Sequence, residues 1–538
     1  MHPSLPLHRL LPGLPSLALT AALLAASPAS HAAFGVTDAS GALTVDSGAG
    51  LVFKVNKSNG DITSIQFNGG SELQSQTKAS HIASGIGASV SYGLSPSGST
   101  ALITLSTATL THYLSVRKNE NTLYMATYIT AEPTVGELRW ITRLNGSVFT
   151  GVPAESNLRG NTGAIESADV FGMSDGTTRS KYYGNQRAKD LAVRGVTGSG
   201  VGVFMVYGNR ESAGGGPFFR DIQNQSGTDT EVYNYMNSGH NQTEAVRTGL
   251  HGPYALVFTT GTMPAAPDMS WMSGLGLQGW VSGRGKVVLN GLAGMDGNYL
   301  YTVGFANSTA QYWATASSSG AATTANMKPG TYTMTVYKGE LAVYSESVSV
   351  SSGGTTTLNT RTIDNDPSQQ SVIWRVGDWD GTPLEFLNGQ TFNVRHPSDA
   401  RNAAWGPVTY AVGSATNKFP AAIWKDQNNG TAITFTLSAA QVAARTLRIG
   451  ISAAFANGRP QVTVNNSWTS GVPSPSTQPD SRSLTIGTYR GNNATFTYSI
   501  PASALVAGSN TLTINVASGS GSAGFLSAGV GVDCIDLF

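Results

Sequence analysis

Lys328-Pro-Gly-Thr-Tyr-Thr-Met-Thr-Val-Tyr-Lys-Gly-Glu340 decides how this chain is to be read. Pro-Gly opens an alternating strand of threonines and larger apolar residues. Lys338-Gly-Glu340 then reads as the turn into a second strand. The same signature recurs outward in both directions. Toward the N-terminus it appears at residues 51–55, 101–106, 124–129, 202–207 and 255–259. Toward the C-terminus it appears at 409–412, 432–435, 446–449 and 511–516. Gly, Asn, Ser and Asp separate these runs, and helical periodicity is scarce. The chain is therefore expected to be all-β, built of sheets packed face to face.

Composition narrows the function classes. Only 12% of the 538 residues are charged, which excludes a coiled coil or long-helix bundle. A hydrophobic share of 40% excludes intrinsic disorder. The net charge of +1 gives no global field for nucleic acid or an anionic membrane. One cysteine, Cys534, makes an internal disulfide framework impossible. The start of the chain reads as an address. A weakly basic His8-Arg9 precedes the apolar run 17–26, and Ser30-His31-Ala32 is a small-x-small cleavage signal. No later run approaches the roughly 20 apolar residues of a spanning helix. A secreted protein is expected, with residues 1–32 as the signal peptide.

Met-Pro-Ala-Ala-Pro at 263–267 and Asp-Asn-Asp-Pro at 364–367 are linker-like. They divide the mature chain into a large β-sandwich (33–272), a small immunoglobulin-like sandwich (273–361) and a jelly-roll-like sandwich (362–538).

Several residues have chemistry worth weighing. Arg139 and Arg143 lie four apart in a strand-like run, so they share a face at about 13 Å spacing. Two such guanidinium groups can hold neighbouring carboxylates, or they can be solvated surface charges. Lys181 follows Arg179 in a polar loop; a lysine in a cationic neighbourhood can act as a base. His240 ends Tyr233-Asn-Tyr-Met-Asn-Ser-Gly-His240 and can give or take a proton near neutrality. Tyr233 and Tyr235 share a strand face and could stack on sugar rings or pack as half-buried strand aromatics. Arg220, Glu244 and Arg247 could complete sugar subsites; each alone reads as surface charge. His251 reads as a structural histidine. Gly172-Met-Ser-Asp-Gly176 and Gly519-Ser-Gly-Ser-Ala-Gly524 match nucleophile-elbow and dinucleotide strings, but neither adjoins the helix its motif requires. No zinc-ligand spacing is present. Asp378-Trp-Asp-Gly381 could contribute to a structural calcium site or form a turn.

Longer strings carry a family resemblance. Residues 125–133 (MATYITAEP), 136–139 (GELR), 178–181 (TRSK), 215–218 (GGPF), 235–240 (YMNSGH), 249–254 (GLHGPY), 327–334 (MKPGTYTM), 396–399 (HPSD) with 405–407 (WGP), and 458–460 (GRP) resemble the rhamnogalacturonan lyases of polysaccharide lyase family 4. The resemblance spans essentially the whole mature chain in order. It implies a catalytic β-sandwich, a fibronectin-III-like module and a carbohydrate-binding-like jelly roll. At Gly60 the chain departs from fungal members, which carry a cysteine early in the first domain; a disulfide there cannot form.

The resemblance also implies an activity, metal-independent β-elimination on rhamnogalacturonan I in pectin. Such a lyase neutralises the galacturonate carboxylate, removes the C5 proton and protonates the leaving O4. Lys181 and His240 match the catalytic positions, with Arg139, Arg143, Tyr233, Tyr235, Arg220, Glu244 and Arg247 as substrate-binding candidates. Lys181 as base and His240 as acid is favoured, and the swapped assignment is chemically reasonable. No catalytic cofactor is expected, and the enzyme is expected to be a monomer. Two rivals stand beside this reading. One is a glycoside hydrolase using a carboxylate pair such as Glu137 and Asp169. The other is a non-catalytic pectin-binding protein, for which Trp405 and Trp468 could serve as stacking platforms.

Overall fold

A computed structural model describes residues 33–538, apart from 84, 86, 134–135, 240–243, 480–481, 488–491 and 519–521. The expected signal peptide, His240 and the first half of the 519–524 string therefore lie outside the described residues.

Strand Gly330–Lys338 pairs antiparallel with Leu341–Val350, joined by the two residues Gly339 and Glu340. Gly339 has φ +58°, the backbone that a glycine at the first turn position supplies. Alternation sorts the side chains as expected. Tyr332, Met334 and Val336 enter the core of the second unit, while Thr331 and Thr333 face out. Lys338 continues the inward phase and is buried, with its Nζ 2.9 Å from Asp366 Oδ2 and 2.9 Å from Ser368 Oγ.

In the first unit a seven-stranded sheet runs from Val193–Gly198 at one edge to Ser89–Leu94 at the other. It faces two four-stranded sheets. One is formed by the strands from Gly35–Ala39 to Ile62–Phe67; the other contains Glu137–Asn145 paired with Asp229–Ser238. A common core joins them, including Phe53, Leu114, Met125, Trp140, Val232 and Leu256. Gly60 sits at φ +82°, and a Cβ there would lie 2.9 Å from Leu105 Cδ1, so a turn glycine fits where a larger residue would be strained. The third unit is two packed five-stranded sheets. Gly524–Leu537 pairs with three strands at its centre, and Cys534 on it is buried. The all-β, three-domain architecture is thus observed.

The incidental motifs resolve locally. Gly172–Gly176 is the tip of a hairpin, with Gly172 opposite Thr178, so Ser174 sits on no strand-to-helix elbow. At Asp378–Gly381, Asp380 Oδ1 accepts from Thr382 N and Oγ1 at 2.8 Å, and Trp379 is buried. Among the described residues no cluster of three or more His, Cys, Asp or Glu side chains forms a metal site. Trp405 and Trp468 are half-buried against the third core rather than open platforms. No helix among the described residues is long and apolar enough to cross a membrane.

Removing Lys338 would leave Asp366 buried and uncompensated. Lys338→Met should lower stability by about 3–5 kcal/mol, measured as a shift of the urea transition. Lys338→Met/Asp366→Leu should recover most of that loss.

Candidate active site

The candidate site is built on the strand pair Glu137–Asn145 and Asp229–Ser238. The register runs Leu138↔Asn237 and then Arg139↔Tyr235, so Met236 is an extra residue in a β-bulge. Beyond the bulge, Ile141 faces Tyr233 and Arg143 faces Glu231. Residues 139, 141 and 143 share one face by strand alternation, as expected. That face carries a second cluster of buried apolar groups, with Ile141, Tyr182, Tyr183, Tyr233 and Tyr235 among its members.

Arg139 lies across this cluster. Its guanidinium carbon is 5.4 Å from the Tyr235 ring centroid and 5.9 Å from that of Tyr233. Nη1 donates to the Tyr235 hydroxyl, and Nε is 3.0 Å from Glu137 Oε1. Burial works against the charge, but Tyr235 and Glu137 outweigh it and raise the guanidinium above its ordinary value. The side chain is 18% exposed, so an anion can still reach it. Tyr233 and Tyr235 are 4% and 3% exposed and stacked on each other at 5.9 Å. They support Arg139 from beneath and do not offer open faces to a sugar. Burial raises both hydroxyls, so each stays protonated.

Lys181 follows the short strand Thr178–Ser180. Its Nζ is 2.9 Å from Asp169 Oδ1 and 5.5 Å from the Tyr182 ring. The expected cationic neighbourhood is corrected here: its closest charged partner is a carboxylate. Tyr182, at 2% exposure, packs in the same cluster as Tyr233 and Tyr235, and the charges of both Asp169 and Arg139 reach its hydroxyl. Two partly exposed cations, Arg139 and Lys181, therefore flank one buried tyrosine cluster.

Other candidates are held elsewhere. Arg143 is 3.1 Å from Glu231 Oε1, donates to the Ala79 carbonyl at 3.1 Å, and meets His81 Nε2 at 2.6 Å. Arg220 Nη2 is 2.8 Å from Glu340 of the second unit and is buried. Arg247 donates to the Asn307 carbonyl of the second unit at 3.0 Å and to the Ala213 carbonyl at 2.8 Å. Glu244 accepts from Gly215 N and from Arg247. These four were expected among the substrate-binding residues; each engages protein partners, three of them around the seam with the second unit, while Arg143 at 17% and Glu244 at 33% side-chain exposure stay at least about as open as Arg139. His251 is buried on the Arg247 carbonyl, as a structural histidine. His240 lies outside the described residues; Gly239, the residue before it, donates to the Gly136 carbonyl at 2.6 Å.

Sequence reasoning missed His81. Burial first, and then the adjacent Arg143, lower it to about 4. It is neutral at physiological pH and can accept from Arg143. No spacing signal marks it, because 62 residues separate it from Arg143. Glu137 and Asp169, the expected hydrolytic pair, are each engaged by a cation, Arg139 and Lys181.

Comparison with known proteins bears on all three units. Residues 34–279 match the family described as rhamnogalacturonan lyase B, N-terminal. Residues 283–358 and 372–537 match polysaccharide lyase family 4, domain II and domain III. "Probable rhamnogalacturonate lyase A" of Aspergillus fumigatus is 47% identical over 522 residues, covering 94% of this chain and 96% of that protein. Rhamnogalacturonate lyase A of Aspergillus aculeatus is 44% identical over 517 residues, covering 94% and 97%.

Burial lowers His112 to about 3 and His251 to about 4, beside His81 at about 4. All three are depressed below an unfolded value of about 6.5. The unfolded chain then binds more protons across that window, so stability is full above about pH 6.5 and is lost as pH falls toward 4. Urea midpoints measured from pH 7.5 to 4 should fall along this limb, and His81→Gln should flatten it.

Proposed function

We propose, since the chain belongs to polysaccharide lyase family 4, that it is a secreted endolyase acting on rhamnogalacturonan I. It cleaves the rhamnose-(1,4)-galacturonate bond by β-elimination and leaves a 4,5-unsaturated galacturonate end. One observation carries the reading at the level of the site. Arg139 and Lys181 flank the same buried tyrosine cluster, with one cation braced for an anion and the other beside a carboxylate.

The chemistry follows from the substrate. The C5 proton of galacturonate is weakly acidic because its neighbouring carboxylate is already negative. Arg139 neutralises that carboxylate and spreads the charge that builds as the C5–H bond breaks. Its fork is fixed by Glu137 and Tyr235, so little reorganisation is needed when substrate arrives. Lys181 is the base for the C5 proton, and Asp169, 2.9 Å from its Nζ, holds the nitrogen in place. His240 protonates the departing O4. The electrons of the C5–H bond become the C4–C5 double bond, and the pair of the C4–O4 bond leaves on oxygen. A proton removed at C5 and a proton supplied at O4 balance the reaction without a metal or other cofactor. The protein works as a monomer on the rhamnogalacturonan I polysaccharide, with no nucleic acid or membrane as partner.

Purified protein incubated with rhamnogalacturonan I should produce new reducing ends together with the ultraviolet absorbance of an unsaturated uronate. Homogalacturonan should give neither. Reducing ends without absorbance would mean hydrolysis and overturn the elimination. Lys181→Ala and His240→Ala should each lower kcat by at least about 10²–10⁴-fold with an unchanged circular dichroism spectrum. Chelation by EDTA should leave the rate within about twofold, and a loss restored by added calcium would refute the metal-free step.

A further inference from the structure

We infer that Asp399, on the third unit, is a positioning residue for Lys181, holding the strand that aims the amine. This rests on the reading of Lys181 given above. Thr178–Ser180 is the edge strand of a three-stranded sheet, so its outer side has no strand partner. Asp399 takes that place. Its Oδ2 accepts from Thr178 N at 2.7 Å and from Thr178 Oγ1 at 2.8 Å. Both of its oxygens are gripped by Arg401, at 2.8 Å from Nε and 2.8 Å from Nη2. Asp399 is 3% exposed. Burial alone would raise its carboxyl, but Arg401 and Thr178 hold it well below the usual carboxylate range. Its partners thus favour the ionised, acceptor form.

The other side of Lys181 is tied to the same unit. The Tyr183 hydroxyl donates to the Thr485 carbonyl, and Gly184 N donates to the Asn393 carbonyl at 2.7 Å. Lys181 thus lies between two anchors that both belong to the third unit. The first unit supplies the pairing of Thr178–Ser180 with Val170–Gly172, the Asp169 contact and the Asn185 amide on the Lys181 carbonyl, at 2.9 Å. A charged, buried acceptor on a short edge strand costs more to place than a packed apolar contact would. Its effect is geometric: it fixes the backbone three residues before the amine. The third unit is in this view a wall of the active site, beyond any sugar binding of its own.

The test uses the full chain and steady-state kinetics on rhamnogalacturonan I. Asp399→Asn and the milder Thr178→Val should lower kcat by about 10²-fold, the scale of a 1 Å misplacement, with KM changed by less than about twofold. Thr178→Ser keeps the hydroxyl and should stay within about twofold of wild type. Glu211→Gln is the control for seam damage in general. It weakens a buried contact with Arg284, Lys328 and Tyr312 at the other seam, so it should lower Tm and leave kcat within about twofold. Should Asp399→Asn not fold, Thr178→Val decides. Wild-type kcat in a folded Asp399→Asn or Thr178→Val variant overturns the inference. So does a rise in KM with kcat intact, or a kcat loss in Glu211→Gln of the same size. Normal turnover in Lys181→Ala would instead remove the Lys181 reading. An inactive Lys181→Ala beside an unimpaired Asp399→Asn would remove only the positioning role.

Discussion

The bulge at Met236 is the constraint on which the site depends. Strand side chains alternate with a period of two, so a register slip of one residue exchanges faces. Had the pairing run on unbroken from Leu138↔Asn237, Arg139 would oppose Met236, which lies in the core of the sandwich. The extra residue places Arg139 opposite Tyr235 and, two residues on, Ile141 opposite Tyr233. The tyrosines then fill the space beneath the guanidinium. Every residue of Asp229–Ser238 is buried, so this strand is covered on both faces and neither can readjust cheaply.

The seams between units follow a second rule. Charge is scarce in this chain, and much of it is concentrated where units meet. Glu340 sits at the tip of the Gly339–Glu340 turn. Its carboxylate meets Arg187 at 3.2 Å and Arg220 at 2.8 Å on the first unit. Its amide donates to the Asp380 carbonyl of the third unit at 2.7 Å. One two-residue turn therefore touches all three units. Glu211 with Arg284 and Lys328 joins the first unit to the second, and Glu166 with His396 and Arg482 joins the first to the third. Buried ion pairs add little net stability over an apolar contact, but a displaced one is costly, so such seams favour a single mutual arrangement.

Much of the fold was legible because alternation is a local property. The 328–340 stretch shows its strand, turn and inward phase without reference to anything else in the chain. The shared face of Arg139 and Arg143 was legible for the same reason. What those side chains touch was not. Arg143, Arg220, Arg247 and Arg139 carry the same charge, and each has a partner far along the chain, 88, 120, 60 and 96 residues away. No window of sequence displays such a pairing. The bulge is hidden too, since Tyr-Met-Asn reads as unbroken strand. The carboxylate beside Lys181 and the neutral His81 beside Arg143 are consequences of chain return, which sequence patterning does not encode.

Cys534 has a consequence of another kind. It is the sole thiol of the chain and lies buried on the central strand of the third unit. Burial pushes the thiol well above its ordinary value, so it holds its proton and is a poor nucleophile for exchange. No covalent cross-link within the chain is possible. The fold thus draws no stability from thiol–disulfide exchange: the thiol poise of its surroundings leaves its packing, hydrogen bonds and charge pairs as they are.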